Sequence, residues 1–211
     1  NNKAYDGGGS YLEAASTQGI LQNCIIRGNT CANYGGGVYS KGRWMYRGCL
    51  IYNNVASAWG GGAYVAHQQT PRNVESCTIV SNRAGTRGGG MLLGYADTPV
   101  VNSIIYYNTC TSGGTSNIHY LANGYFTNCC FAQTGTVAGV NNITNLAPGF
   151  VSATGQDYHL EMDSPCVNAG ANQDWMSDAR DLEGNRRIDG MWRRVDIGAY
   201  EGLWPATIIT V

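Results

Sequence analysis

Charge is what this chain has least of. Only 13% of its 211 residues are Asp, Glu, Lys or Arg, against roughly 25% in an average soluble domain. That scarcity, with 14 Tyr and 5 Trp, excludes intrinsic disorder, which needs high charge and few aromatics. No apolar run nears the ~20 residues of a bilayer-spanning helix, so no membrane span is expected. No concentrated basic stripe is present, which argues against nucleic acid as a partner. A signal peptide and an initiating Met are both missing, and Asn1-Asn2-Lys3 runs directly into a repeat, so the chain reads as a processed product or a fragment. The net charge of −1 hides an asymmetry: residues 1–150 carry eight basic and four acidic side chains, residues 151–211 five and ten.

Glycine is abundant, with 30 copies, about twice the usual ~7%. It is also periodic. Gly35-Gly36-Gly37-Val38-Tyr39 recurs as Gly60-Gly61-Gly62-Ala63-Tyr64 and Gly88-Gly89-Gly90-Met91-Leu92, with an earlier copy at Gly7-Gly8-Gly9 and a degraded one at Gly113-Gly114. The starts are spaced by 28, 25, 28 and 25 residues, a period that marks a solenoid. Aligned on it, Cys24, Cys49, Cys77, Ser103 and Cys129 share a column. Ile26, Ile51, Ile79, Ile105 and Phe131 follow two residues later, and Asn29, Asn54, Asn82 and Asn108 five residues later, before Thr134. Side chains two apart share a strand face, so Cys and Ile point inward together and the Ile column is a buried ladder. The Asn column suits a turn with left-handed backbone. Coils of 25–28 residues with three short strands each predict a single-stranded parallel β-helix of about five coils over residues 1–140. Extra residues fall between the Gly triplet and the Cys column, and His67-Gln68-Gln69-Thr70-Pro71-Arg72 reads as a protruding loop. From Asn141 the period is lost, and residues 141–211 are expected to form an irregular C-terminal cap, since a solenoid leaves an open apolar end.

The pattern Asn-Cys-x-Ile-x-x-Asn-x-Ala…Gly-Gly-Gly-x-Tyr resembles right-handed parallel β-helix repeats of bacterial secreted and surface proteins, the polymorphic outer-membrane-protein type among them. Asp157-Tyr158-His159-Leu160, Ser164-Pro165-Cys166-Val167-Asn168-Ala169-Gly170, Asp181-Leu182-Glu183-Gly184-Asn185 and Val195-Asp196-Ile197-Gly198-Ala199-Tyr200-Glu201 look like the ending of choice-of-anchor Q domain proteins. The resemblance implies a right-handed coil and an extracellular or cell-surface bacterial setting. It implies no particular activity.

Three sets of side chains stand out. Tyr34, Trp59 and Arg87 each precede a Gly triplet and should stack along one outer edge. Rings and a guanidinium there suit a polysaccharide or cell-surface glycan, through apolar ring faces and polar edges. Tyr39 and Tyr64 either extend this row or enter the core. A second set, Ile25, Leu50, Tyr52, Ile104 and Tyr106, points outward as an apolar face that wants a cover: the cap, a protein partner or another copy of the chain. The cysteines form the third set. Zinc spacings are absent, parallel stacking gives poor disulfide geometry, and the column is read as stacked free thiols; a disulfide from the cap to the last coil through Cys129, Cys130 or Cys166 stays open.

Catalysis lacks a clear set. Hydrolysis of a glycosidic bond needs two carboxyls at defined separation, and the coils offer only Asp6, Glu13, Glu75 and Asp97, in different columns. Lys41, Arg43, Arg47, His67 and Arg72 are the candidate bases of a lyase. The cap acids Asp174, Asp178, Asp181, Glu183, Asp189 and Asp196 raise Ca²⁺ as a possible cofactor, but no EF-hand spacing appears, and pairing with Arg180, Arg186, Arg187, Arg193 and Arg194 is the simpler use. The expectation is a non-catalytic module with no cofactor, presenting a rigid lateral surface for adhesion or glycan binding. The alternatives are a fragment of a polysaccharide lyase or glycoside hydrolase, and a structural component of a surface layer or filament.

Overall fold

The computed structural model describes residues 1–66, 73–95, 98–114, 116–121, 124–132, 137–188 and 194–202. Loop 67–72 lies outside them, as do Asp97, Thr134, Asp189, Arg193 and residues 203–211. The chain is a solenoid of parallel β-coils. One face stacks Ile25–Arg27, Leu50–Tyr52, Thr78–Val80, Ile104–Tyr106 and Cys130–Phe131. A short face stacks Lys3–Ala4, Thr30–Cys31, Val55–Ala56, Arg83–Ala84 and Thr109–Cys110. The third, longest face begins with Ser10–Gln22 on Val38–Arg47 and ends at Gly139–Val140. In the first coil the extra residues therefore lengthen a strand rather than form a loop, with a register shift between Ala14 and Gly19.

Register follows the sequence columns. Ile26 pairs with Ile51, Ile51 with Ile79, Ile79 with Ile105 and Ile105 with Phe131. Ile51, Ile79, Ile105 and Phe131 are buried with Cys49, Cys77 and Cys129 in one continuous core. Burial of each such aliphatic side chain stabilises by roughly 1.5–3 kcal/mol. All eight cysteines are free thiols. Cys130 and Cys166 meet as hydrogen-bonded thiols between coil and cap, and that bond, then burial, raises the Cys166 pKa.

The asparagine column is a buried ladder. The Oδ1 of Asn54 accepts from the backbone N–H and Nδ2 of Asn29, both at 3.0 Å. Asn82 serves Asn54 in the same way, Asn108 serves Asn82, and Asn117 closes the series on Asn108. Their backbone is not left-handed, contrary to expectation. The preceding residue takes that conformation, at Gly28, Asn53, Ser81 and Tyr107 (φ 65, 53, 54 and 54°), and so does the residue before the Cys column, at Asn23, Gly48, Ser76, Asn102 and Asn128. The reason is that the ladder amide must point inward, so the corner turns one residue earlier.

The outward apolar face is not free for a partner. The cap folds back on it, and Leu50, Tyr52, Val80, Ile104 and Cys130 pack with Phe150, Tyr158, Cys166, Ile197 and Ala199 in a second buried cluster. Tyr106 is half-buried at its margin, and only Ile25, at the first coil, stays open at 54% exposure. Polar staples fix the docking: Ala199 N–H donates to Thr78 Oγ1 (2.9 Å), Asn102 exchanges two bonds with Ala171 (both 2.8 Å), and Asn23 Nδ2 donates to the Arg180 carbonyl (2.9 Å). Beneath them the fully buried Arg187 donates to the carbonyls of Gly198 and Ala199 and to Glu201 Oε1 at 3.0 Å.

Burial pushes the Glu201 carboxyl up to about 8, against the opposing pull of Arg187. An acid whose folded pKa lies above its unfolded value (~4.3) contributes stability below pH ~4.3 that is lost as pH rises through the folded pKa. Stability is therefore expected to fall by up to about 1.4 kcal/mol per pH unit between pH 5 and 8. Chemical denaturation across that window should show the decline, and E201Q should flatten it; an unchanged slope in the variant would assign the decline elsewhere.

Candidate functional site

The ring edge forms at the corner between the short and long faces. Tyr34, Trp59 and Arg87 bridge one another in parallel register. Their carbonyls accept the N–H groups of Gly7, Gly35 and Gly60 at 2.9–3.0 Å, so backbone bonds pin each ring-bearing residue to the next coil. Glycine is required twice over. Gly60 has φ +65°, and a Cβ at Gly61 would fall on the carbonyl oxygen of Gly89. Any larger residue there would hold the coils apart.

Tyr39 and Tyr64 extend the row rather than enter the core. Their side chains stack at 5.1 Å and 27° and form a third cluster with Leu92, separate from the Ile-lined interior. Strand pairing makes a second column of Tyr11, Tyr39, Tyr64, Leu92 and His119. The two columns interlock. Tyr34 lies 4.9 Å from Trp59 at 33° and meets Tyr64 edge-on at 5.6 Å, while Tyr11 meets Tyr39 edge-on at 5.3 Å. The ring faces are thus not bare, as the flanking glycines alone suggest, but packed on each other. Tyr39 and Tyr64 form the buried floor; Tyr34 and Trp59 are half-exposed above it; Tyr11 and Arg87 are exposed.

Cations border the rings. The Arg87 guanidinium sits 5.8 Å from the Trp59 ring, and the Lys41 ammonium 5.4 and 5.6 Å from Tyr39 and Tyr11. Burial, followed by the neighbouring Tyr39, pushes the Tyr64 phenol up to about 12. It is therefore a neutral hydroxyl at physiological pH, able to donate and accept. Burial, then Arg87, lowers the His119 pKa, which favours the neutral imidazole at the far end of the column. The corner offers flat apolar surface, hydroxyls and two fixed positive charges. Tyr11 was legible from its place after Gly7-Gly8-Gly9, the same as that of Tyr39 after its triplet; His119 follows a degraded repeat and had no such signal.

The remaining candidates have other partners. Glu75 is buried and ion-paired with Arg47 at 2.6 Å, with Asn73 on its second oxygen; Arg47 also lies 4.8 Å from the Trp175 ring. Asp6 accepts the Tyr34 N–H at 3.0 Å, and Glu13 stands opposite Lys41 in register. In the cap, Asp181 accepts from the N–H groups of Glu183, Asn185 and Glu201, and Asp196 from those of Asn168 and Gly202. These carboxylates shape turns. Among the described residues, no group of three or more His, Cys, Asp or Glu is placed to hold a metal ion, and no helix is long and apolar enough to cross a membrane. No protein-family model matches the chain, and neither the curated proteins nor the solved structures yield a significant match.

Proposed function

We infer that this chain is a non-catalytic module that binds glycan at the ring corner and belongs to an extracellular or cell-surface protein of bacterial type. The observation that carries the reading is the two-column platform of Tyr11, Tyr34, Tyr39, Trp59 and Tyr64 with Lys41 and Arg87 at its borders. Sugar rings stack their C–H faces on such aromatics, and hydroxyls and cations meet the polar edges. The backbone-pinned corner holds the rings without ligand, so little ordering cost is left for binding. The likeness of the repeats and of the cap motifs to surface β-helix proteins supports the setting.

A glycan array with the wild-type chain and W59A tests it. The wild type is expected to bind at least one polysaccharide class, and W59A to bind it at least tenfold more weakly, in line with the ~1.4 kcal/mol or more that a stacked anchor contributes. I25A, at the exposed start of the opposite face, should leave binding unchanged. Equal binding by wild type and W59A would remove the ring corner as the site. Incubation with acidic and neutral polysaccharides, read by ultraviolet absorbance and reducing ends, tests the lyase or hydrolase alternative; any product would establish it in place of the non-catalytic reading.

A further inference from the structure

A second feature lies at a different corner, across the short face from the rings. The turn residues Asn53, Ser81 and Tyr107 of three successive coils face the cap hairpin formed by Phe150–Ser152 and Asp157–Leu160. Between them is an open cleft of about 470 Å³ lined by Asn53, Ser81, Tyr107, Ala153, Thr154, Gln156 and Tyr158. That volume falls within the ~300–1,000 Å³ of small-molecule sites.

Its lining has a definite chemistry. No lining side chain is charged. The amides of Asn53 and Gln156 and the hydroxyls of Ser81, Thr154, Tyr107 and Tyr158 each donate and accept. Tyr158 already donates to Ser81 Oγ at 3.4 Å, which ties the two walls together. Tyr107 presents a ring that is 47% exposed, braced edge-on by Tyr106 at 4.7 Å. Vicinal hydroxyls on an apolar ring fit such a surface, whereas phosphate or carboxylate would find no cation among these seven.

Backbone strain points to the same place. The corner demands left-handed backbone, which Gly28, Asn53 and Ser81 adopt as glycine or small polar residues. At Tyr107 the same conformation (φ 54°) is carried by a bulky aromatic residue, and across the cleft Gln156 repeats it at φ 65°. A strained residue with an exposed functional group is a known mark of a ligand clamp. Glycine at either position would fold with less strain but would remove the ring or the amide from the cleft.

We propose that the cleft between the coil corner at Asn53, Ser81 and Tyr107 and the cap hairpin binds a neutral mono- or disaccharide unit, independently of the ring corner. The test titrates the isotope-labelled full chain with glucose, galactose, N-acetylglucosamine, cellobiose and chitobiose, following backbone amides by NMR. At least one sugar is expected to give saturable shifts at Ser81, Tyr107, Thr154 and Gln156. In Y107G its affinity should fall at least tenfold, and Q156G should weaken binding in the same direction. W59A should leave the cleft shifts intact, so the two sites succeed or fail separately. No saturable shift with any of the five sugars would overturn the proposal. So would wild-type affinity in both Y107G and Q156G.

Discussion

Replacing Asn82 by alanine is expected to lower Tm by about 10 °C or more. Asn82 sits 1% exposed in the middle of the amide ladder. Its Oδ1 accepts two bonds from Asn54, at 2.9 and 3.0 Å, and its Nδ2 donates to the carbonyls of Ile51 and Val80 and to Asn108. Truncation leaves the buried backbone N–H of Asn54 unpaired and its side-chain amide with only the Ile26 carbonyl, and it takes a donor from the carbonyls of Ile51 and Val80. Each unpaired buried donor costs roughly 1–3 kcal/mol, and the void adds to it. A loss of about 4 kcal/mol is a large share of a typical stability of 5–15 kcal/mol, and at ~2–4 °C per kcal/mol for a chain of this size it gives the stated shift. R83A, one residue along on the exposed short face, should stay within ~0.5 kcal/mol. Thermal and urea unfolding of the pair decide it: a loss below ~1 kcal/mol in N82A would show that the ladder contributes little.

Arg187→Ala should be as damaging, through a different route. The guanidinium is fully buried and gathers Gly198, Ala199 and Glu201 into one cap turn, and that turn carries the Ala199–Thr78 staple to the coil. At pH 9, above the Glu201 pKa of about 8, the two form a buried ion pair, and removing one partner there costs about 3–5 kcal/mol, since the other is left uncompensated. The loss should be local at first. The cap should open from the face bearing Leu50, Val80 and Ile104 before the coils unfold, as low-stability units do, and hydrogen exchange should quicken at Gly198 and Ala199 ahead of Ile79. The double variant R187M/E201L should recover more than half of the loss, because both charges go together. Recovery near zero would mean that the hydrogen bonds to the carbonyls, not the charge pair, hold the turn.

The coil interior was readable because a solenoid writes the same instruction once per turn. Ile26, Ile51, Ile79 and Ile105 occupy one column in the sequence and one ladder in space. The triplets that place Trp59 beside Tyr34 are equally periodic. The period was less informative about conformation within a corner: it located the turn near Asn54 but not that Asn53 takes the left-handed backbone while Asn54 turns inward. It also left open whether Tyr39 and Tyr64 extend the edge row or enter the core, and their stacking on each other outside the Ile-lined interior came only with the folded chain.

What the amino-acid sequence determined by itself is the stack: coil length, register, the inward columns, and the row that puts Tyr34, Trp59 and Arg87 on one edge. These depend on neighbours one repeat away, and each repeat supplies the same partner. What only the tertiary structure decided is the fate of the outward columns. Leu50 and Ile104 are covered because Phe150, Tyr158, Cys166, Ile197 and Ala199 pack across them, through contacts such as Ala199 to Thr78 that span 121 positions. An aperiodic segment leaves no column to align. Its docking is set by shape, burial and single hydrogen bonds, and those exist only once the chain is folded.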